Sequence, residues 1–274
     1  MTTRSSHLCF SIVLRTAALA SLLVAATVGD AWGHGAGGDV AVFTTGGQVD
    51  VGFAVLDDND EFREFFDPAD SVFQTILVPQ VLGGLAVGST EPGYDAFPGD
   101  LPPGAQLTYN VLGLEYWDGV GTPSFAPPVW AEASFFAGPV SISANGSFHH
   151  HPLFGIRDLT PDGLPLPDGV YAAKLSLSVT GLLDSDPFYM LALVIDALGA
   201  DPDPADAAEQ LGEAIMAYQE DPLGNPEPTY GGVSYAYLAA AVAHYESFAN
   251  VPEPTGALLC AASVLGLLCV RRRR

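Results

Sequence analysis

The chain has 274 residues, enough for one domain with a sizeable core, and a formal net charge of −23. So acidic a surface makes nucleic acid, itself a polyanion, a poor partner. The first reading is a solvated acidic extracellular surface, with divalent cations as plausible partners. The three cysteines, Cys9, Cys260 and Cys269, fall in apolar segments near the two ends, which leaves residues 34–250 with neither a disulfide nor a thiol nucleophile.

Arg4 and Arg15 precede an apolar stretch, Ala17 to Val28, followed by small residues. That pattern predicts a secretory signal peptide over residues 1–33, cut after Ala31 or Gly33. The apolar stretch is too short to span a bilayer, which argues against a retained anchor.

Residues 34–198 are predicted to form a β-sandwich domain. Val40–Thr44 and Val49–Leu56 read as a hairpin turning at Gly46-Gly47, with Val49, Val51, Phe53 and Val55 alternating toward one face. Asp57-Asp58-Asn59-Asp60-Glu61 superficially resembles a calcium loop. An EF-hand needs Gly where Phe62 stands and Glu where Pro68 stands, so a solvated turn is expected. Phe62–Phe66 reads as a short helix, and Val72–Val78 and Val81–Val87 as strands. Glu91 to Gly104 is rich in Pro, Gly and Asp and reads as a loop. Strands are predicted again at Leu107–Leu114 and Val129–Phe136.

Asn145-Gly146 predicts a type I′ hairpin between Ser141-Ile142-Ser143 and Phe148-His149-His150-His151. A two-residue turn would pair Ser143 with Phe148, Ile142 with His149, Ser141 with His150 and Val140 with His151. Val170–Thr180 alternates cleanly, with Tyr171, Ala173, Leu175, Leu177 and Val179 facing one way. Phe188–Ile195 is apolar throughout and reads as a buried strand. Residues 199–250 change texture to a Pro/Ala-rich helical segment that packs on one end of the domain or serves as a stalk. Asp203 caps a helix there with Pro204 at its first position, and Leu211, Ala214, Ile215 and Tyr218 form its apolar stripe. Ser234–Ala249 is a second candidate helix, on which His244 reads as solvated. The expected fold is mainly β: an antiparallel β-sandwich of about eight strands, jelly-roll or Ig-like, with one or two C-terminal helices and a terminal membrane helix.

That last helix belongs to residues 251–274. Val251-Pro252-Glu253-Pro254 is followed by an uncharged run, Thr255 to Val270, and by Arg271 to Arg274. At ~1.5 Å per residue the run spans roughly 24 Å, short of a ~30 Å hydrocarbon core. Snorkelling arginines and local thinning can close the gap. The arginines should remain cytoplasmic, with everything before the run outside. The three parts in this order resemble the PEP-CTERM sorting signal of Gram-negative bacteria, with Pro252, Glu253 and Pro254 as its box. The resemblance implies processing by exosortase, a membrane-embedded, cysteine transpeptidase-like enzyme. It implies an inner-membrane intermediate held through residues 255–270, then delivery to the outer surface or the extracellular matrix. A plain membrane tail is the competing reading.

Among the histidines, His149 and His151 share one strand face and His150 takes the other. Side chains two apart are ~6.6 Å apart, near enough for both imidazoles to converge on one ion at ~2.0–2.1 Å. His34 is the candidate third ligand, and Zn²⁺ suits the imidazoles. The competing reading is a pair of half-buried histidines satisfied by hydrogen bonds. Three segments, Ser147 to Phe154, Gly169-Val170-Tyr171 and Ser185 to Tyr189, resemble bacterial surface-anchored domains termed choice-of-anchor M and related zinc-repressor-controlled PEP-CTERM proteins. Those proteins carry a His-x-His strand and an N-terminal histidine near a short acidic motif. Here His34 and Asp39 are separated by more residues than the His-x-Asp spacing of that motif.

There is no G-x-S-x-G, no H-E-x-x-H and no phosphate-binding glycine loop. The expectation is a non-enzymatic, exported surface or matrix protein with a divalent-metal site. The alternatives are a carbohydrate-binding module for exopolysaccharide, stacking through Tyr116, Trp117 and Trp130, and a hydrolase with dispersed carboxylates.

Overall fold

A computed structural model describes residues 39–56, 62–65, 71–79, 84–159 and 164–249. The leader, His34, the Asp57–Glu61 loop and the sorting signal with Pro252, Glu253 and Pro254 lie outside the described residues. Among the described residues no helix is long and apolar enough to cross a membrane.

The first hairpin forms as its glycines dictate. β1 (Asp39–Thr45) and β2 (Gln48–Leu56) pair antiparallel across Gly46-Gly47, whose φ angles of 61° and 89° only glycine adopts freely. β3 (Phe62–Phe65) then pairs along β2, where a short helix was expected. So few residues cannot offset the cost of helix nucleation, whereas a strand gains ladder bonds at once. The other edge of β1 takes β6 (Tyr94–Ala96), and β6 takes β10 (Phe148–His150). The result is a five-stranded sheet in the order β10-β6-β1-β2-β3.

The second sheet has eight strands. β4 (Val72–Pro79) and β13 (Phe188–Val194) lie at its centre. On one side follow β5 (Val87–Ser89), β11 (Leu153–Asp158) and β8 (Ala131–Phe136). On the other follow β12 (Gly169–Val179), β7 (Gln106–Trp117) and β9 (Val140–Ser141). The architecture is mainly β and sandwich-like, with two corrections. The β1–β6 and β4–β13 pairs are parallel, so the sheets are mixed rather than purely antiparallel. Of the predicted Val81–Val87 strand, residues 81–83 lie outside the described residues, Gly84 is in a turn at φ 72°, and only Val87 is in a strand, as the first residue of β5.

One core fills the space between the sheets, and a second lies between the larger sheet and two helices. β12 shows why its sequence alternates. Tyr171, Ala173, Leu175, Leu177 and Val179 enter the first core, while Val170 and Ala172 enter the second. Beyond the helices the same outer face turns polar, with Asn110 Nδ2 donating to Ser178 Oγ at 2.8 Å. β13 is covered on both faces: Phe188, Met190, Ala192 and Val194 inward, Leu191 and Leu193 outward. Its continuous apolar run follows from that position.

A 3₁₀ turn (Asp196–Ala200) leads to α1 (Pro204–Glu220), with Asp203 accepting from the Asp206 amide and Pro204 in the first turn. Ala208, Leu211 and Ile215 are buried against the sheet. Gln219 and Gln74 of β4 exchange two amide hydrogen bonds, at 2.9 and 3.2 Å, and so lock the helix end to the sheet. A small hairpin, β14 (Thr229–Tyr230) with β15 (Val233–Ser234), precedes α2 (Tyr237–Ala249). The second helix therefore starts later than Ser234, which the hairpin takes. It buries Leu238, Ala241, Val242 and Tyr245, and the Tyr245 hydroxyl donates to Glu115 Oε2 on β7 at 2.7 Å. His244 is half-buried rather than solvated, its ring stacked on Phe125 at 5.5 Å between centroids.

The Asn145-Gly146 turn exists, but the hairpin around it does not. Gly146 donates to the Ser143 carbonyl, and the Ser143 hydroxyl bonds Asn145 Oδ1 and the Ser147 carbonyl. That knot closes the loop on itself. Its two arms then part: Val140 and Ser141 pair with β7, while β10 pairs with β6. Local turn chemistry sets the reversal, and competition between two sheets sets the partners.

Candidate metal centre

Strand register assembles the centre. His149 on β10 lies opposite Asp95 on β6, and Asp95 lies opposite Ala41 on β1. Alternation then places Asp39, Ala41, Asp95 and His149 on one face. Val40, Val42, Tyr94 and Phe148 take the other face and join the core. His150 follows them inward: it stacks on Tyr109, whose hydroxyl lies 2.9 Å from His150 Nδ1. His151 leaves the end of β10 on the outer side, its ring centroid 4.7 Å from that of His149.

The expected convergence of His149 and His151 therefore occurs, on a different neighbour strand from the one expected. Their Nε2 atoms are 3.1 Å apart. Asp39 Oδ2 is 3.9 Å from His151 Nε2 and 3.6 Å from His149 Nδ1. One ligand atom each from Asp39, His149 and His151 lies within 4.8 Å of the others, a group able to hold a metal ion. Two Zn–N bonds of ~2.0–2.1 Å at a tetrahedral angle would set their nitrogens about 3.3 Å apart, close to the spacing found. Asp39 is largely sheltered at 12% side-chain exposure, whereas His151 is 33% and His149 58% exposed. A bound ion would thus keep an open side toward solvent.

Two carboxylates stand behind the rings. His149 Nδ1 is 2.7 Å from Asp95 Oδ1, and His151 Nδ1 is 3.1 Å from Glu91 Oε1 and 3.2 Å from the Thr90 carbonyl. The Asp95 hydrogen bond raises the His149 pKa above the ordinary imidazole value, with the Asp95, Asp39 and Glu91 charges adding to it against partial desolvation. Burial raises the Asp39 carboxyl; His151 works against that rise and Asp95 reinforces it. Burial lowers His150, and its two neighbouring histidines lower it further. Gly93, whose amide donates to Asp39 Oδ1 at 2.9 Å, is packed directly under the group.

His34 lies outside the described residues; among those described, the third member of the cluster is Asp39. Sequence reading did not place Asp39 among the ligands: the residue stood only beside a family motif whose spacing this chain departs from. It missed Asp95 and Glu91 because Glu91–Gly104 reads as loop. The one local signal there is Tyr94-Asp95-Ala96, an apolar-polar-apolar triplet after Pro-Gly. Of the aromatics nominated for sugar stacking, Trp117 is 3% exposed and donates to the Val120 carbonyl, while Tyr116 and Trp130 are half-buried against the core and meet each other edge-to-face at 5.6 Å.

No protein-family model matches the chain, and no curated protein or solved structure matches it.

Proposed function

We propose that this is an exported, non-enzymatic surface or matrix protein that binds a divalent transition metal, zinc, through Asp39, His149 and His151. The observation that carries the metal reading is the 3.1 Å approach of the two Nε2 atoms beside a sheltered carboxylate. Imidazole and carboxylate together suit Zn²⁺, and the acidic surface concentrates cations around the site. Calorimetric titration of zinc into the purified full-length chain should give one stoichiometric site at pH 7.5. His149→Ala and His151→Ala should each abolish it, while His150→Ala should leave it intact. A His34→Ala arm asks whether His34 supplies a fourth ligand. Protons compete for the same nitrogens. Because Asp95 raises the His149 pKa, His149 takes up its proton at higher pH than a free imidazole, and affinity should already be falling as pH drops toward 6.5. Equal affinity at pH 5.5 and 7.5, or loss of binding in His150→Ala alone, would reject the site.

Export and sorting are supported by the two terminal segments and the basic–apolar patterns described above. In a host with exosortase, mass spectrometry of the surface protein should find the chain ending near Pro252–Thr255. Recovery of intact Arg271–Arg274 from the surface would reject sorting and favour a permanent tail.

A further inference from the structure

We propose that Asp95 and Glu91 are positioning residues that turn both histidines Nε2-forward and thereby tune the site for transition metals over calcium and magnesium. This rests on the metal reading above. An imidazole has two nitrogens, and only one of each ring can face a shared ion. Which one does so is set by what the other nitrogen bonds.

The partners of Nδ1 are acceptors in both rings. For His149 they are Asp95 Oδ1 at 2.7 Å and, farther off, Asp39 Oδ2 at 3.6 Å. For His151 they are Glu91 Oε1 at 3.1 Å and the Thr90 carbonyl at 3.2 Å. An ionised carboxylate and a carbonyl can only accept, so these contacts favour, in each ring, the tautomer with its proton on Nδ1. Both Nε2 lone pairs then point into the same gap, 3.1 Å across. In that tautomer the two lone pairs meet at hydrogen-bond distance, and either a proton on one Nε2 or a metal ion bound to both relieves their repulsion. Such a gap selects for an ion that takes nitrogen at ~2.0–2.1 Å. Calcium wants six to eight oxygens at ~2.3–2.6 Å, and magnesium near-octahedral oxygen, neither of which two imidazoles supply.

Thr90, Glu91, Gly93 and Asp95 belong to one short stretch that ends β5 and enters β6. One turn therefore orients both ligands. The two carboxylates differ in weight. Asp95 is sheltered, at 13% side-chain exposure, and among the described residues its substitute at His149 Nδ1 is only the more distant Asp39. Glu91 is 63% exposed, and the Thr90 carbonyl stands in for it.

The test is a Co²⁺ titration of the full-length chain followed by visible absorption, with Zn²⁺ affinities from chelator competition and Ca²⁺ and Mg²⁺ by calorimetry. Wild type should show the strong d–d bands of a four-coordinate ion and bind neither alkaline-earth ion at the histidines. Asp95→Asn keeps an acceptor oxygen for Nδ1 but loses the charge, and should weaken Zn²⁺ about 10-fold. Asp95→Ala loses both and should weaken it about 100-fold with altered Co²⁺ bands. Glu91→Gln should cost less than Asp95→Asn. Glu209→Gln, which removes one exposed charge on α1, should leave affinity unchanged and so controls for net charge. If wild type binds Zn²⁺ but both Asp95 variants stay within twofold of it with unaltered bands, the positioning role is wrong and the metal site stands. Calcium binding as tight as zinc would overturn the selectivity. If wild type binds neither Zn²⁺ nor Co²⁺, the metal reading and this inference fall together.

Discussion

Gly93→Ala is expected to fold normally and to lose zinc. The backbone at Gly93 is not in the left-handed region, so alanine meets no conformational penalty there. Space is the obstacle. A Cβ would sit 2.6 Å from His151 Cε1, 2.7 Å from His151 Nε2 and 2.7 Å from Asp39 Oδ1. Both neighbours are side-chain tips, so both can withdraw without tearing a strand. Both are also proposed ligands, and a withdrawal of several tenths of an ångström would break their convergence. Affinity should fall about 100-fold, the upper end of the loss seen when the support of metal ligands is disturbed. Melting curves in chelator should superimpose on wild type, while the rise in melting temperature on adding zinc should vanish. An alanine variant that binds zinc within threefold of wild type would show that Asp39 and His151 do not act together.

Phe188→Ala is expected to carry the largest cost to the fold. Phe188 is fully buried on β13 and meets Phe73 of β4 edge-on at 5.6 Å. Phe73 in turn meets Phe53 of β2 at 4.6 Å. These three rings run from the larger sheet into the smaller one, so the truncation leaves a cavity at the junction of both. Such truncations cost about 3–5 kcal/mol, against a total stability of about 5–15 kcal/mol for a domain. Urea unfolding should show a lower midpoint with an unchanged slope. Phe188→Leu keeps most of the volume and should cost much less. Equal losses for the two variants would mean that the cavity is not the cause.

Patterns that depend on one segment alone were legible before the structure. β12 and β13 could be read from their alternation and their unbroken apolar run, and α1 from Asp203-Pro204 and its stripe. Patterns that depend on a partner were not. The Asn145-Gly146 turn was visible, but nothing local shows that β10 pairs with β6 rather than with Val140–Ser141. The three residues of β6 are too few for a period to emerge, and they carry Asp95. The facing of His149 and His151 survived the wrong pairing because alternation along a strand does not depend on which strand lies beside it. Asp39 joined them through a parallel β1–β6 contact, which pairs only two residues and leaves no trace in either segment.

The parallel pairing of β4 with β13 has a kinetic consequence. Val72 lies beside Tyr189, more than a hundred residues apart in the chain, and the same separation holds along the whole strand pair. Closing so long a loop is entropically costly and gains nothing until both strands arrive, which slows folding. The middle of the larger sheet stays open until the chain has emerged as far as β13. Residues 39–179 cannot seal this sheet early on their own. Under the export proposed above, that delay would leave the larger sheet unclosed until the chain had crossed the membrane as far as β13.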